Sequence, residues 1–206
     1  MLALEGTPGS RRELEEVLEW KIERTFGAPL SEMRVNREQL PANDQNQVRY
    51  LATAVRLSVL EEYESVFRAL GWQAGLVLPR HAGEEQWLRH GSQGDGLLLT
   101  AHDEGFTAVL MRGGRALTLR SVFCEPAESD DELHRVLLFY RQRSGGNGES
   151  MVDRLLIVGD NLDKQRVVGV HLRPMAAADV GLAIPASGNL DFDAIAAPAG
   201  LARLAW

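Results

Sequence analysis

The sequence predicts a mixed α/β protein, and three observations carry that reading. Three helices share one start signal, Ser-x-x-Glu, at Ser10/Glu13, Ser58/Glu61 and Ser129/Glu132. In this box the two side chains accept from backbone N–H groups that a first helical turn leaves unpaired. Residues 94–122 (GDGLLLTAHDEGFTAVLMRGGRALTLRSV) alternate short apolar runs with polar, Gly-containing breaks, the pattern of a three-stranded meander. Residues 154–158 (RLLIV) form a continuous apolar run closed by Gly159-Asp160-Asn161, consistent with a buried strand. The order lacks the strict βαβ alternation of a doubly wound sheet, so the sheet is expected to be mixed.

Each element follows from its own residues. After Ser10, the residues Leu14, Val17, Leu18, Ile22 and Phe26 recur at helical spacing, with Glu15, Glu16, Glu19 and Glu23 left for solvent; Gly27-Ala28-Pro29 stops the helix. Residues 33–39 and 48–57 read as strands. Val59, Leu60, Tyr63, Val66, Phe67 and Leu70 form the stripe of the second helix, ended by Gly71, and 72–78 is a further strand candidate. The meander runs 97–100, 106–111 and 117–122, with turns at His102-Asp103-Glu104-Gly105 and Arg112-Gly113-Gly114. Leu133, Val136, Leu137 and Tyr140 share one face of the third helix, which closes on Arg141 and Arg143. After a flexible loop at 144–148 come the strand 154–158, a short helix at 162–168 and a strand at 170–173. The Ala-rich end carries an apolar stripe, Ile195, Leu201, Leu204 and Trp206, expected as a packed terminal helix. The chain reads as a single domain over 1–206, with lobes at 10–93 and 94–206.

Composition narrows the function classes. With 206 residues, 45% apolar and 25% charged, the chain has the make-up of a soluble globular protein long enough for a substantial core. No apolar run approaches the roughly 18 to 20 residues that span a bilayer, and MLALEGTPGSRRELEE has no signal-peptide pattern. A single cysteine, Cys124, excludes an internal disulfide and suits a reducing cytosol. A net charge of −7 and a pI near 5.3 argue against nonspecific nucleic-acid binding, which needs clustered Lys and Arg.

Four phrases carry a family resemblance: 13–35 (ELEEVLEWKIERTFGAPLSEMRV), 48–79 (VRYLATAVRLSVLEEYESVFRALGWQAGLVLP), 97–120 of the meander, and 153–161 (DRLLIVGDN). Together with the closing DFDAIAAPAGLARLAW they resemble the actin-like PilM proteins of type IV pili and the related cytoplasmic domain of the type II secretion protein GspL. The resemblance implies an actin-like, RNase H-like ATPase-type fold, incomplete at the N-terminus because nothing before Ser10 supplies the family's first phosphate loop. It also implies a nucleotide site at Thr100, Asp103, Gly105, Thr107, Gly159 and Asp160. In that family an Asp ends the first strand of the meander and a Gly follows. Here Thr100 and His102 stand near those places, while Gly105 and Thr107 remain. The family's adenosine-binding Gly-Gly reads Gly159-Asp160. Phosphoryl transfer is mostly positioning and metal-assisted charge stabilisation, so a site without its carboxylate is expected to be a poor ATPase. The resemblance therefore implies an adaptor with no cofactor. Its partner would be the N-terminal segment of a PilN-like membrane protein, gripped at the cytosolic side of the inner membrane. The rival implication is an actin-like ATPase with a drifted motif, in which Asp103 takes magnesium.

Other candidate chemistry is weaker. Cys124 with His134 is a conceivable nucleophile pair, but a lone Cys behaves as a small hydrophobe. His102, Asp103 and Glu104 read as an exposed hairpin turn. The five histidines (His81, His90, His102, His134, His171) show no metal-ligand spacing. Asp191, Asp193, Asp130 and Asp131 read as cap carboxylates, and Gly113-Gly114 and Gly145-Gly146 as turns outside any P-loop context. Trp20, Trp72 and Trp206 are expected in the core, and Trp87 partly exposed.

Overall fold

In the computed structural model, residues 2–3, 9–40, 48–89, 94–144, 152–159, 162, 173–185 and 190–204 are described. The chain divides into two compact units, Met1–Val77 and Leu78–Trp206. The division falls before the helices of 80–89, ahead of the expected lobe edge at 93/94.

In the first unit, β1 (Leu2–Ala3), β2 (Met33–Leu40) and β3 (Arg49–Arg56) form an antiparallel sheet in the order β1-β3-β2. Alternation along β3 points Tyr50, Ala52 and Ala54 at the core built by Leu18 and Ile22 of helix α1 (Arg11–Phe26). Leu2, Ala28 and Met33 complete that core. At the first start signal the Ser10 cap forms as expected, while Glu13 bonds to the residue before the cap and not to Ser10 itself. Ser10 Oγ accepts from the Glu13 N–H at 3.1 Å, and Glu13 reaches back to the Gly9 N–H at 2.7 Å. Gly27 closes α1 in the left-handed region, φ 65°.

Helix α2 (Leu57–Ala69) starts directly off β3, with Arg56 as its cap and no side-chain hydrogen bond. The chain turns helical one residue before Ser58, so Ser58 and Glu61 lie inside the first turns and the expected box is not formed. Residues 72–78 are not a strand. Gly71 takes φ 77°, and the Trp72 N–H turns back to the Phe67 carbonyl at 2.9 Å. Phe26, expected on the buried stripe of α1, is exposed, as are Trp20 and Trp72.

In the second unit, β4 (Asp95–His102), β5 (Gly105–Arg112), β6 (Arg115–Phe123) and β7 (Val152–Val158) form one sheet, ordered β6-β5-β4-β7. The meander pairs are antiparallel and β4–β7 is parallel, so the sheet is mixed. One face, with Leu97, Leu99, Phe106, Ala108, Leu155 and Ile157, packs against Leu133, Val136, Leu137 and Tyr140 of α5 (Ser129–Ser144). The other face carries Leu98, Val109, Met111, Leu156 and Val158, all inaccessible to solvent. Three helices belong to that side: α3 (Arg80–Glu84), α4 (Gln86–Arg89) and α6 (Phe192–Ala202). Leu88 of α4 lies against Gly96 of β4.

Helices α3 and α6 approach backbone to backbone: a Cβ on Gly200 would stand 1.9 Å from the Gly83 carbonyl oxygen. Trp87 is buried rather than partly exposed, because its indole N–H donates to the Ala196 carbonyl at 2.8 Å and Arg203 covers its ring. The expected terminal helix is α6, capped by Asp191, which accepts from the Ala194 N–H at 2.7 Å. The third start signal is not a cap. A short turn, Pro126–Glu128, precedes α5, and the Ser129 hydroxyl donates to the Pro126 carbonyl at 2.7 Å. At the Asp95 end of β4, Arg112 holds both carboxylate oxygens at 2.8 Å and the Tyr140 hydroxyl donates to one of them. Asp95 in turn raises the Arg112 pKa. The helix expected at 162–168 and the strand at 170–173 lie outside the described residues, apart from Leu162 and Arg173, as do His90, His171, Gly145-Gly146 and Trp206.

Candidate functional site

Four of the six residues expected to hold phosphate and adenosine lie where the meander meets the end of β7. Thr100 of β4 pairs with Thr107 of β5, Thr107 pairs with Ser121 of β6, and Thr100 lies beside Val158 of β7. Directly paired residues share a face, so Thr100, Thr107 and Ser121 make a row of hydroxyls across the sheet. Both threonines are buried. Thr107 and Ser121 hydrogen-bond to each other at 3.0 Å.

The hydroxyl of Thr100 donates to the carboxylate of Glu84, which comes from α3 and has no solvent exposure. The other oxygen of Glu84 accepts from Arg80 Nε at 2.7 Å, one helical turn back. A buried carboxylate persists only when paired and hydrogen-bonded, and here guanidinium and hydroxyl satisfy one oxygen each. The site thus contains a carboxylate, but on a helix and already engaged. The position near which the family's Asp is expected holds a hydroxyl that serves that carboxylate.

Two glycines shape the backbone around this row. Gly105 opens β5 at φ 137°, and a Cβ there would stand 2.1 Å from the Val122 carbonyl oxygen. Gly159 follows β7 at φ 101°, with its would-be Cβ 2.8 Å from that of Ala101. Both are positions where a side chain is excluded by conformation and by space. Asp103 is exposed in the turn between β4 and β5. Asp160 lies outside the described residues. Among the described residues no three His, Cys, Asp or Glu side chains are grouped as a metal site.

The remaining candidates are placed as follows. The His102 ring sits 6.1 Å from that of Phe123. Burial and the carboxylates of Glu132, Glu128 and Glu125 push the Cys124 thiol up, which favours the unreactive protonated form. His134 is exposed on α5. Sequence reasoning missed Glu84 and Asp95. The signal for Glu84 was present in 80–89, where Arg80/Glu84 and Glu85/Arg89 are two (i, i+4) ion pairs flanking a Trp-Leu pair.

The sheet order, the helices on both its faces and the meander site define a mixed α/β protein of the actin-like fold class. No protein-family model matches the chain, and no curated protein matches it. Among solved structures it is similar to a chain of a PilM–PilN type IV pilus biogenesis complex. The TM-score is 0.72 at 18% identity, over 98% of this chain and 74% of that one. At that identity the likeness is one of fold. A Bacteroides thetaiotaomicron protein of actin-like ATPase fold and unknown function aligns at TM-score 0.46 and 13% identity, over 73% of this chain and 54% of that one. The cytoplasmic domain of EpsL, an inner-membrane component of the Vibrio cholerae type II secretion system, aligns at 0.43 and 14%, over 79% and 58%.

Proposed function

We infer that the protein is a non-catalytic actin-like adaptor of a type IV pilus or related secretion assembly. It binds a short segment of a membrane partner, similar to PilN, at the cytosolic face of the inner membrane. The observation that carries this reading is the likeness of fold to a chain of the PilM–PilN complex over 98% of the sequence. Among the described residues no helix is long and apolar enough to cross a membrane, so membrane attachment would come through the partner. Capture of a peptide segment needs a groove and backbone complementarity, and no reacting side chain. The non-catalytic half of the reading is supported by Thr100, whose hydroxyl is committed to Glu84. The rival, a nucleotide-binding ATPase, draws on Gly105 and Gly159, the glycines expected at the phosphate and adenosine positions, although the space beside each is taken by the chain's own Val122 carbonyl and Ala101.

Two titrations on the same protein separate the readings. The first is fluorescence anisotropy with a labelled peptide from the cytosolic N-terminus of a PilN-like protein; saturable binding is expected, and none refutes the adaptor. The second is thermal melting with millimolar Mg-ATP or Mg-ADP. A nucleotide at 100 times its Kd would stabilise by about 2.7 kcal/mol, a rise of roughly 2 to 4 °C at this size. No rise is expected. A rise that disappears in Asp103→Ala would establish the rival.

A further inference from the structure

In the first unit, helix α2 buries Leu60 and turns most of its apolar residues outward. Val59, Tyr63, Val66, Phe67 and Leu70 are exposed, with Tyr63, Val66 and Leu70 each at 60% or more. Trp72, stacked on Phe67 with ring centroids 6.4 Å apart, is exposed at 64% and prolongs the patch. Together these six side chains present on the order of 700 Å² of surface, where an ordinary monomer keeps contiguous apolar patches to a few hundred. Val59, Tyr63, Val66 and Leu70 are spaced four, three and four residues apart. That is the spacing of a coiled-coil seam, in which alternate positions of one helix enter the gaps of another.

We propose that this seam pairs with α2 of a second copy of the chain, the two helices antiparallel about a two-fold axis between Glu64 and Ser65. The seam is self-complementary about that point. Val59 falls opposite Leu70 of the second copy, and Tyr63 opposite its Val66, so every layer matches a smaller side chain with a larger one. A two-fold interface requires this kind of reciprocity. Glu62 of one copy stands level with Phe67 of the other and not with another carboxylate. A parallel arrangement would instead set Arg56 beside Arg56 and Tyr63 against Tyr63. The patch on each copy, if wholly covered, would approach the roughly 800 Å² per partner of a standard-size interface. This pairing is independent of the adaptor reading, since it needs neither nucleotide nor pilus partner.

Sedimentation velocity on the full chain, from low micromolar to several hundred micromolar, tests it. A concentration-dependent monomer–dimer equilibrium is expected. Val66→Glu should raise the dissociation constant at least about tenfold, as removal of a central interface residue does. Because Val66 is exposed, the thermal melt should hardly move, so loss of the dimer could not be blamed on unfolding. A monomer at every concentration overturns the proposal, as does a Val66→Glu chain that dimerises unchanged. Helix direction is tested by mild oxidation in a Cys124→Ser background. Mixed Val59→Cys and Leu70→Cys chains should form the 59–70 disulfide, while neither crosslinks well alone. Efficient 59–59 and 70–70 crosslinks would overturn the antiparallel arrangement.

Discussion

The central strands of the two sheets differ in a way that organises the molecule. Strand β4 is buried at every position except His102, whereas β3 is partly exposed at every position before Arg56. The cause is coverage. The four-stranded sheet has α5 on one face and α3, α4 and α6 on the other, and its parallel pair, β4 and β7, accordingly carries continuous apolar runs, LLL and LLIV. The three-stranded sheet has its core on the α1 face, and β3 alternates to match, with Tyr50, Ala52 and Ala54 turned to α1. Chemistry-bearing groups such as Glu84 and Asp95 can be held dry only in the doubly covered sheet. The outward apolar stripe of α2 lies in the unit of the singly covered one.

The comparison predicts unequal responses to the same substitution. Leu99→Ala, at a fully buried position, should cost about 4 kcal/mol, whereas Leu51→Ala should cost about 1, because only the first leaves a closed cavity. Equal losses, measured by urea unfolding, would break the distinction. Asp95→Ala should cost about 3 kcal/mol, since it strips the partner from Arg112 and from the Tyr140 hydroxyl at a buried site. Arg37→Ala in the first unit, which removes the ion pair to Glu15, should cost under about 1 kcal/mol because solvent screens that pair.

Two glycines sharpen the contrast further. Gly27→Ala places a Cβ in open space and should cost only about 1 kcal/mol of left-handed strain. Gly105→Ala adds a collision with the Val122 carbonyl and should cost about 2 to 3 kcal/mol, read as a lower denaturation midpoint. The smallest expected effect is of pH. All five histidines lie beyond residue 78, and burial lowers the pKa of His81 below 6.5. At acidic pH the unfolded chain therefore binds a proton that the folded one resists. The contribution of His81 is intact above about pH 6.5, declines as pH falls from there to the lowered value, and levels off below it. His81→Gln should flatten that decline without changing the stability at pH 8.

Much of the fold was legible because it rests on local chemistry. The Ser10 cap, the meander with its two turns, the 154–158 run and the Asp191-capped terminal helix all lie where their residues indicate. Two of the three Ser-x-x-Glu signals failed for one physical reason. The chain before Ser58 and Ser129 was already turning, so neither serine was left outside its helix to cap it. The 72–78 strand failed because apolar content without a neighbouring edge makes no sheet. Trp87 was misplaced because its burial depends on Ala196, far along the chain. At the candidate site, the sequence singled out Thr100, Thr107, Gly105 and Gly159, which the fold places near one another, but it did not single out Glu84, which the fold brings to Thr100.

The sequence by itself determined most element types, the order of the meander and the hydroxyl of Thr100 near the end of its strand, since periodicity, turn residues and residue identity are local properties. Only the tertiary structure decided that Glu84 meets Thr100, that Asp95 gathers Arg112 and Tyr140, and that the stripe of α2 faces outward. Each of those depends on which elements lie side by side, and pairing between distant segments is fixed by the packing of the whole unit and not by any window of the chain.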